Sequence, residues 1–242
     1  VADIAAYIFK TWDIKFSRPG LNKWLHKHNF SYKAPKKIPH KLDKEKQAMF
    51  IREYNELKAS CGDEPIFFMD GVHPTQATKV SCGWIMKGEN KTIKTSASRT
   101  RLNIVGALNL NDLSGVMIQK YETINTESIL DFLTQLRSNF VQEQTIHLIL
   151  DCAGYHKAKI VESEAIKMNI KLHFLPPYSP NLNPIERLWK IMNEQVRNNK
   201  YFTSAKEFRE QIDDFFEVKW KKIGDSFSSR LNDNFQVLNP AS

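Results

Sequence analysis

Three acidic residues stand where carboxylates do chemistry. Asp70 closes the apolar run Pro65-Ile66-Phe67-Phe68-Met69, Asp151 closes Ile146-His147-Leu148-Ile149-Leu150, and Glu186 lies within Asn183-Pro184-Ile185-Glu186-Arg187-Leu188-Trp189. Short apolar runs ending in an acid read as buried strands that deliver a carboxylate to the C-terminal edge of an α/β sheet, where such sheets bind their ligands. Three carboxylates gathered there are oxygen donors for hard divalent cations. Mg2+ or Mn2+ keeps positions open for a substrate phosphate, and a pair of ions can flank an in-line phosphoryl transfer. Each acid also has an ordinary structural reading. An Asp after a strand forms turns or caps helices, and Glu186 falls where the third residue of an Asn183-capped helix would reciprocate the cap, with Pro184 first in that helix.

The elements that must position these acids narrow the choice. The string Leu175-Pro176-Pro177-Tyr178-Ser179-Pro180-Asn181-Leu182-Asn183-Pro184-Ile185-Glu186 follows a short strand, Lys171-Leu172-His173-Phe174. Its prolines fix a rigid, extended approach to the helix that carries Glu186. This string resembles the signature of the DDE transposases of the Tc/mariner superfamily, bacterial insertion-sequence branch, in which the helix-borne Glu is the third catalytic carboxylate. The 34 residues between Asp151 and Glu186 equal the spacing that names the branch. Asp151-Cys152-Ala153-Gly154-Tyr155-His156 resembles its second motif, with Cys152 where the family usually has Asn. The resemblance covers nearly the whole chain and is most specific from Leu150 to Trp189. It implies catalytic and metal-binding roles for Asp70, Asp151 and Glu186, with two Mg2+ (or Mn2+) ions. It further implies cleavage at element ends, joining of 3′ hydroxyls to a TA target, cut-and-paste movement, and a homodimer bridging two ends.

Charge is distributed unevenly. Residues 1–42 hold nine Lys or Arg against Asp3 and Asp13, so seven of the net eight positive charges lie there. That asymmetry argues for a basic DNA-binding module attached to a nearly neutral body. Ile4, Ala5, Ile8 and Phe9 recur at helical spacing, and Ser17 can cap a second helix with Pro19 in its first turn. Leu21, Trp24, Leu25 and His28 would face inward, leaving Arg18, Asn22, Lys23, His26 and Lys27 to lie in a major groove. Phe30 to Lys33, with Lys36 and Lys37, would form a wing on the phosphates. Trp24 and Tyr32 are expected in the core. The pattern resembles the winged helix-turn-helix that precedes the catalytic domain in this family. The chain opens at Val1 without an initiator Met, so an upstream portion, by resemblance another helix-turn-helix unit, is expected.

Two domains follow: 1–42, the winged helix-turn-helix and linker, and 43–242, the catalytic body. In the body a helix is expected over 43–58, strands at 65–70, 79–87, 103–110 and 115–122, helices at 126–141, 157–168, 183–199 and 204–221, and buried strands at 146–151 and 171–175. That order is α/β or α+β, and the resemblance sharpens it to an RNase H-like fold. On the Glu186 helix, Lys190, Asn193 and Arg197 share the face of Glu186, so Lys190 and Arg197 join the candidate DNA contacts. His73 and His156 lie near the acids and read equally as ordinary hydrogen-bonded histidines.

Several classes are excluded. No glycine loop is followed by Lys-Ser/Thr, so no nucleotide site is implied. Cys61, Cys82 and Cys152 are scattered without Cys-x-x-Cys pairs, which points to neither zinc nor a disulfide framework and fits a reducing compartment. No apolar stretch is long enough for a membrane span. The expectation is a cytoplasmic bacterial enzyme, nucleoid-associated when bound to double-stranded DNA, acting on terminal inverted repeats and target DNA. The rival readings are a transposase-derived DNA-binding protein without activity and an RNase H-like nuclease that cleaves without joining.

Overall fold

The computed structural model describes residues 1–32 and 41–238. The chain divides into two compact units, Val1–Ile38 and Pro39–Ser242.

The first unit contains helices α1 (Ala2–Trp12) and α2 (Arg18–Lys27). Ser17 begins α2 as expected: its Oγ accepts the Gly20 N–H at 3.1 Å, with Pro19 in the first turn. Arg18, Asn22, Lys23, His26 and Lys27 are all exposed on α2. Lys33, Lys36 and Lys37 of the expected wing lie outside the described residues. Trp24 and Tyr32 depart from the sequence expectation. Leu21 is the one buried side chain among this unit's described residues, whereas Trp24 is 43% exposed, stacked on the His28 ring at 3.9 Å, and Tyr32 is fully exposed. Two short helices cannot enclose a large indole without a further layer over it.

The second unit is a mixed sheet covered on both faces. Helix α3 (Lys44–Ser60), capped by Asp43, leads into β1 (Ile66–Val72), β2 (Asn103–Asn109) and β3 (Asp112–Tyr121). Then come α4 (Thr126–Arg137), β4 (Ile146–Leu150), α5 (Lys159–Lys167) and β5 (Ile170–Phe174). Helices α6 (Ile185–Met192), α7 (Ala205–Asp214) and α8 (Trp220–Ile223) follow, with single π-type turns over 193–197 and 215–219. The strand order is β3-β2-β1-β4-β5; β1, β2 and β3 are antiparallel, while β4 runs parallel to β1 and β5 parallel to β4. This is the RNase H-like α/β architecture.

The central strands β1, β2 and β4 are covered on both faces and read as near-continuous hydrophobic runs, whereas the edge strands β3 and β5 carry exposed charged residues such as Lys120 and Lys171. The period-2 alternation splits the central runs cleanly. Phe67, Met69, Val105, Leu148 and Leu150 pack toward Ile129 and Phe132 of α4 and Val161 of α5. Phe68, Ile104, Leu108 and Ile149 pack toward Phe50 and Tyr54 of α3 and Leu188 and Trp189 of α6. The C-terminal segment joins this second cluster through Phe235, whose ring meets Phe50, Tyr54 and Phe68. Among the described residues no helix is long and apolar enough to cross a membrane.

The strand expected at 79–87 does not form. Beyond an isolated pairing of Lys79 with Asn198, this stretch is irregular, and Val80, Trp84, Ile85 and Met86 are exposed. A strand needs a free neighbouring edge, and β2 occupies the place beside β1 directly, with Val72 opposite Ile104. The alternating pattern finds no place beside β1 or β2, both already flanked by strands. Asn199 ties the excursion back, accepting the Ser81 N–H and donating to its carbonyl oxygen.

Candidate functional site

Asp70 lies in β1, Asp151 is the residue after β4, and Glu186 is the second residue of α6. Since β1 and β4 are adjacent and parallel, their C-terminal ends bring Asp70 and Asp151 to one edge of the sheet. The loop Leu175–Pro180 leaves β5 at the same edge. All three acids line one cavity of about 540 Å³ together with Cys152, Asn183 and this loop. Among the described residues no three acidic, His or Cys side chains converge closely enough to enclose a single ion. The acids therefore share a cavity rather than form a tight cage.

Each carboxylate is placed differently. Asp70 accepts the Trp189 indole N–H on Oδ2 at 3.1 Å. Its carboxyl is pushed up to about 7, first by burial and next by the negative charge of Glu186. The indole reaches Asp70 because residue 106, opposite Asp70 across the β1–β2 ladder, is glycine; a Cβ there would stand 2.6 Å from the Trp189 ring. Asp151 moves the other way. Its Oδ1 accepts from His156 Nδ1 at 2.7 Å and from the Ala153 N–H at 3.0 Å, and the His156 bond is the main reason its carboxyl titrates below the ordinary range. Glu186 is raised by burial and then by the charge of Asp151. One acid is thus held ionised while the other two resist ionising beside it.

The capping reading of Glu186 fails. Helix α6 starts at Ile185, after Pro184, without a side-chain cap. The Asn183 amide turns instead to β1, where Nδ2 donates to the Met69 carbonyl oxygen at 3.3 Å. Among the described residues the Glu186 carboxylate takes no hydrogen bond, and Asn183 keeps a buried Oδ1 without a partner beside the cavity. Two carboxylates raised by burial and neighbouring negative charge, a third held ionised, and an unpaired carbonyl-type oxygen form a donor set that fits a hard divalent cation.

The remaining expected residues separate. His73 is an ordinary histidine, its Nδ1 bonded to Asn103 Oδ1 at 2.8 Å. His156 is buried and bound to Asp151. Lys190 is exposed on α6, as a surface contact requires. Arg197 is corrected: it is buried, its Nε and Nη2 donate to the Thr75 carbonyl and hydroxyl oxygens, and Nη1 donates to Asn193. The π-type turn at 193–197 rotates it off the face of Glu186 that a regular helix would give it. Cys152 donates its thiol to the Leu175 carbonyl oxygen at 3.2 Å, so it ties the end of β4 to the start of the signature loop. Sequence reasoning missed Trp189 as a partner of Asp70 and Gly106 as the gap that admits it. The only signal for Gly106 was a glycine inside a strand.

Residues 65–209, more than half of the chain, match the family described as DDE superfamily endonuclease, and residues 1–54 match the winged helix-turn helix family. The insertion element IS630 uncharacterized 39 kDa protein of Shigella sonnei is 26% identical over 182 residues, covering 74% of this chain and 51% of that protein. This chain therefore spans about half the length of that curated relative. Among solved structures, the Mos1 mariner paired-end complex with Mn gives a TM-score of 0.62 at 16% identity, covering 96% of this chain and 76% of that one. The corresponding complex with Mg gives 0.65 at 17% identity, covering 94% and 74%.

Proposed function

We propose, since the chain belongs to the DDE superfamily endonucleases of the Tc/mariner type, that it is a transposase that cuts DNA at element ends and transfers the freed 3′ hydroxyls to target DNA. One observation carries this reading: three acids from elements far apart in sequence line one cavity, where Glu186 and Asp151 raise Asp70 and Asp151 raises Glu186.

Asp70, Asp151 and Glu186 are the residues that would hold Mg2+ or Mn2+, two ions in all; both metals appear in the similar Mos1 complexes. When bound, the ions activate the attacking hydroxyl and offset the charge that builds on the phosphate. The chain's own groups prepare that site. His156 and the Ala153 N–H keep Asp151 ionised and fixed in direction. Trp189 holds Asp70 by its indole N–H, and the packing of that ring against Gly106 sets where the carboxylate points. Glu186, without a competing hydrogen bond among the described residues, is free to act as a ligand. The rigid loop Leu175–Pro180 walls the cavity on the side from which α6 begins.

Arg18, Asn22, Lys23, His26 and Lys27 on α2 would read and grip the terminal repeats, with Lys33, Lys36 and Lys37 on phosphates. Lys190 would meet DNA at the catalytic body. Pairing of two ends by a homodimer, a TA target, cut-and-paste movement and a cytoplasmic, nucleoid-bound location belong to the same reading.

The test uses DNA carrying the inverted repeats that flank the parent element. Asp151→Asn should abolish strand cleavage while repeat binding and the fold persist. Full cleavage by that variant would sink the assignment, and cleavage by the unaltered protein without joining would favour a nuclease.

A further inference from the structure

We propose that Gln47 is a positioning residue, whose buried amide holds the signature loop, and with it Glu186, against the cavity; this rests on the reading of the three acids as metal ligands. Gln47 sits in the first turn of α3, far in sequence from the acids, and is fully buried. A buried primary amide is costly unless its donors and acceptor are used. Here they join three segments. Nε2 donates to Ser179 Oγ at 3.1 Å, while Oε1 accepts from Asn181 Nδ2 at 3.3 Å and from the Leu238 N–H at 3.1 Å. Asn181 Nδ2 also reaches the Gln236 carbonyl oxygen at 3.1 Å, so α3, the signature loop and the C-terminal segment meet at one side chain.

The loop needs such a hold. Tyr178, immediately before Ser179, has φ +59°, in the left-handed region that a bulky side chain adopts only at a cost. Strained backbone persists where its surroundings over-determine it. The flanking prolines fix φ at 177 and 180 but supply no N–H to anchor the turn. Gln47 supplies the anchor on both sides of Pro180, through Ser179 and Asn181. Just beyond, the Asn183 amide grips β1 next to Asp70, and the Glu186 N–H donates to the Asn183 carbonyl oxygen. A shift of the loop is therefore a shift of Glu186 relative to Asp70.

The experiment measures Mn2+ binding to the metal-free full chain by the loss of free-ion EPR signal, alongside thermal unfolding in chelator. Gln47→Met keeps the volume and removes all three bonds. Ile129→Ala, in the hydrophobic cluster on the α4 face, serves as a control for reduced stability alone. Gln47→Met is expected to weaken Mn2+ binding about tenfold or more, as removal of groups supporting metal ligands does, while Ile129→Ala binds as the unaltered protein does. If Gln47→Met binds Mn2+ no worse than Ile129→Ala, the proposal is overturned. Should Gln47→Met fail to fold, Ser179→Ala breaks the same hydrogen bond from the loop side and is judged by the same two outcomes. Asp70→Asn separates the layers. If it loses Mn2+ while the Gln47 and Ser179 variants keep it, only the positioning role falls. If Asp70→Asn binds Mn2+ normally, the metal-site reading falls and the proposal with it.

Discussion

Replacing Asp70 with Asn should make the metal-free protein more stable, and increasingly so as pH rises. The Asp70 carboxyl titrates at about 7 instead of 3.8 because burial and the charge of Glu186 oppose its ionisation. A raised carboxyl pKa favours the folded state only while the group stays protonated. The penalty is absent well below pH 3.8, grows as the unfolded chain ionises, and is complete above about pH 7. A shift of roughly three units at about 1.36 kcal/mol each corresponds to about 4 kcal/mol at pH 8. By the same linkage the penalty is about 1.7 kcal/mol at pH 5, so roughly 2–3 kcal/mol should be lost between the two pH values. Asn carries no charge and keeps an oxygen for the Trp189 indole N–H. Thermal unfolding in chelator should therefore show the advantage of Asp70→Asn growing by about 5–10 °C from pH 5 to pH 8. Mg2+ should reverse the order, stabilising the unaltered protein, more at pH 8 than at pH 6, and leaving the variant unmoved. An advantage independent of pH, or a variant less stable than the original at pH 8, would refute the argument that Asp70 is a strained carboxyl awaiting a cation.

Glu186→Gln should leave the metal-free protein at neutral pH at least as stable to unfolding as the original, because no cap is removed and the charge that burial and Asp151 oppose, and that itself opposes Asp70, is gone, while cleavage and joining collapse at ordinary Mg2+; near-normal joining of a pre-cleaved end would return Glu186 to a structural role. Gly106→Ala forces a methyl into the Trp189 ring and should cost about 1–3 kcal/mol by denaturant unfolding, with cleavage falling further than stability does because Asp70 loses its aligned donor; an unchanged midpoint would show that the ring is not held where the structure places it. Neutralising Lys23 and Lys27 should lower the slope of log K against log salt by about 0.9 for each phosphate that either lysine neutralises, and an unaltered slope would move the DNA surface off α2. Arg197→Met should lower the unfolding midpoint and leave that salt slope unchanged, since the guanidinium is engaged by Thr75 and Asn193.

Much of this protein could be read from local order. Apolar runs bounded by turn signals identify β1 and β4 because a strand covered on both faces is apolar nearly throughout. Ser17 with Pro19 marks the start of α2 because capping is a local contest for a few N–H groups. The acids and their spacing are written in the chain, and the family signature picks out the same three. What local order could not decide was partnership. Residues 79–87 alternate as a strand should, yet β2 fills the neighbouring place. Asn183 is spelled as a cap, yet a carbonyl on β1 draws its amide away, which frees Glu186. Arg197 belongs to an exposed helix face until a π-type turn rotates it into Thr75. Gly106 and Trp189 lie far apart in sequence, and only the packing of α6 on the sheet makes one the space for the other and the pair the support of Asp70. Even the chemistry of the acids divides in this way. Their identity is sequence, whereas the depression of Asp151 by His156 and the elevation of Asp70 by burial and Glu186 arise from distances that exist only once the sheet, the loop and α6 have met.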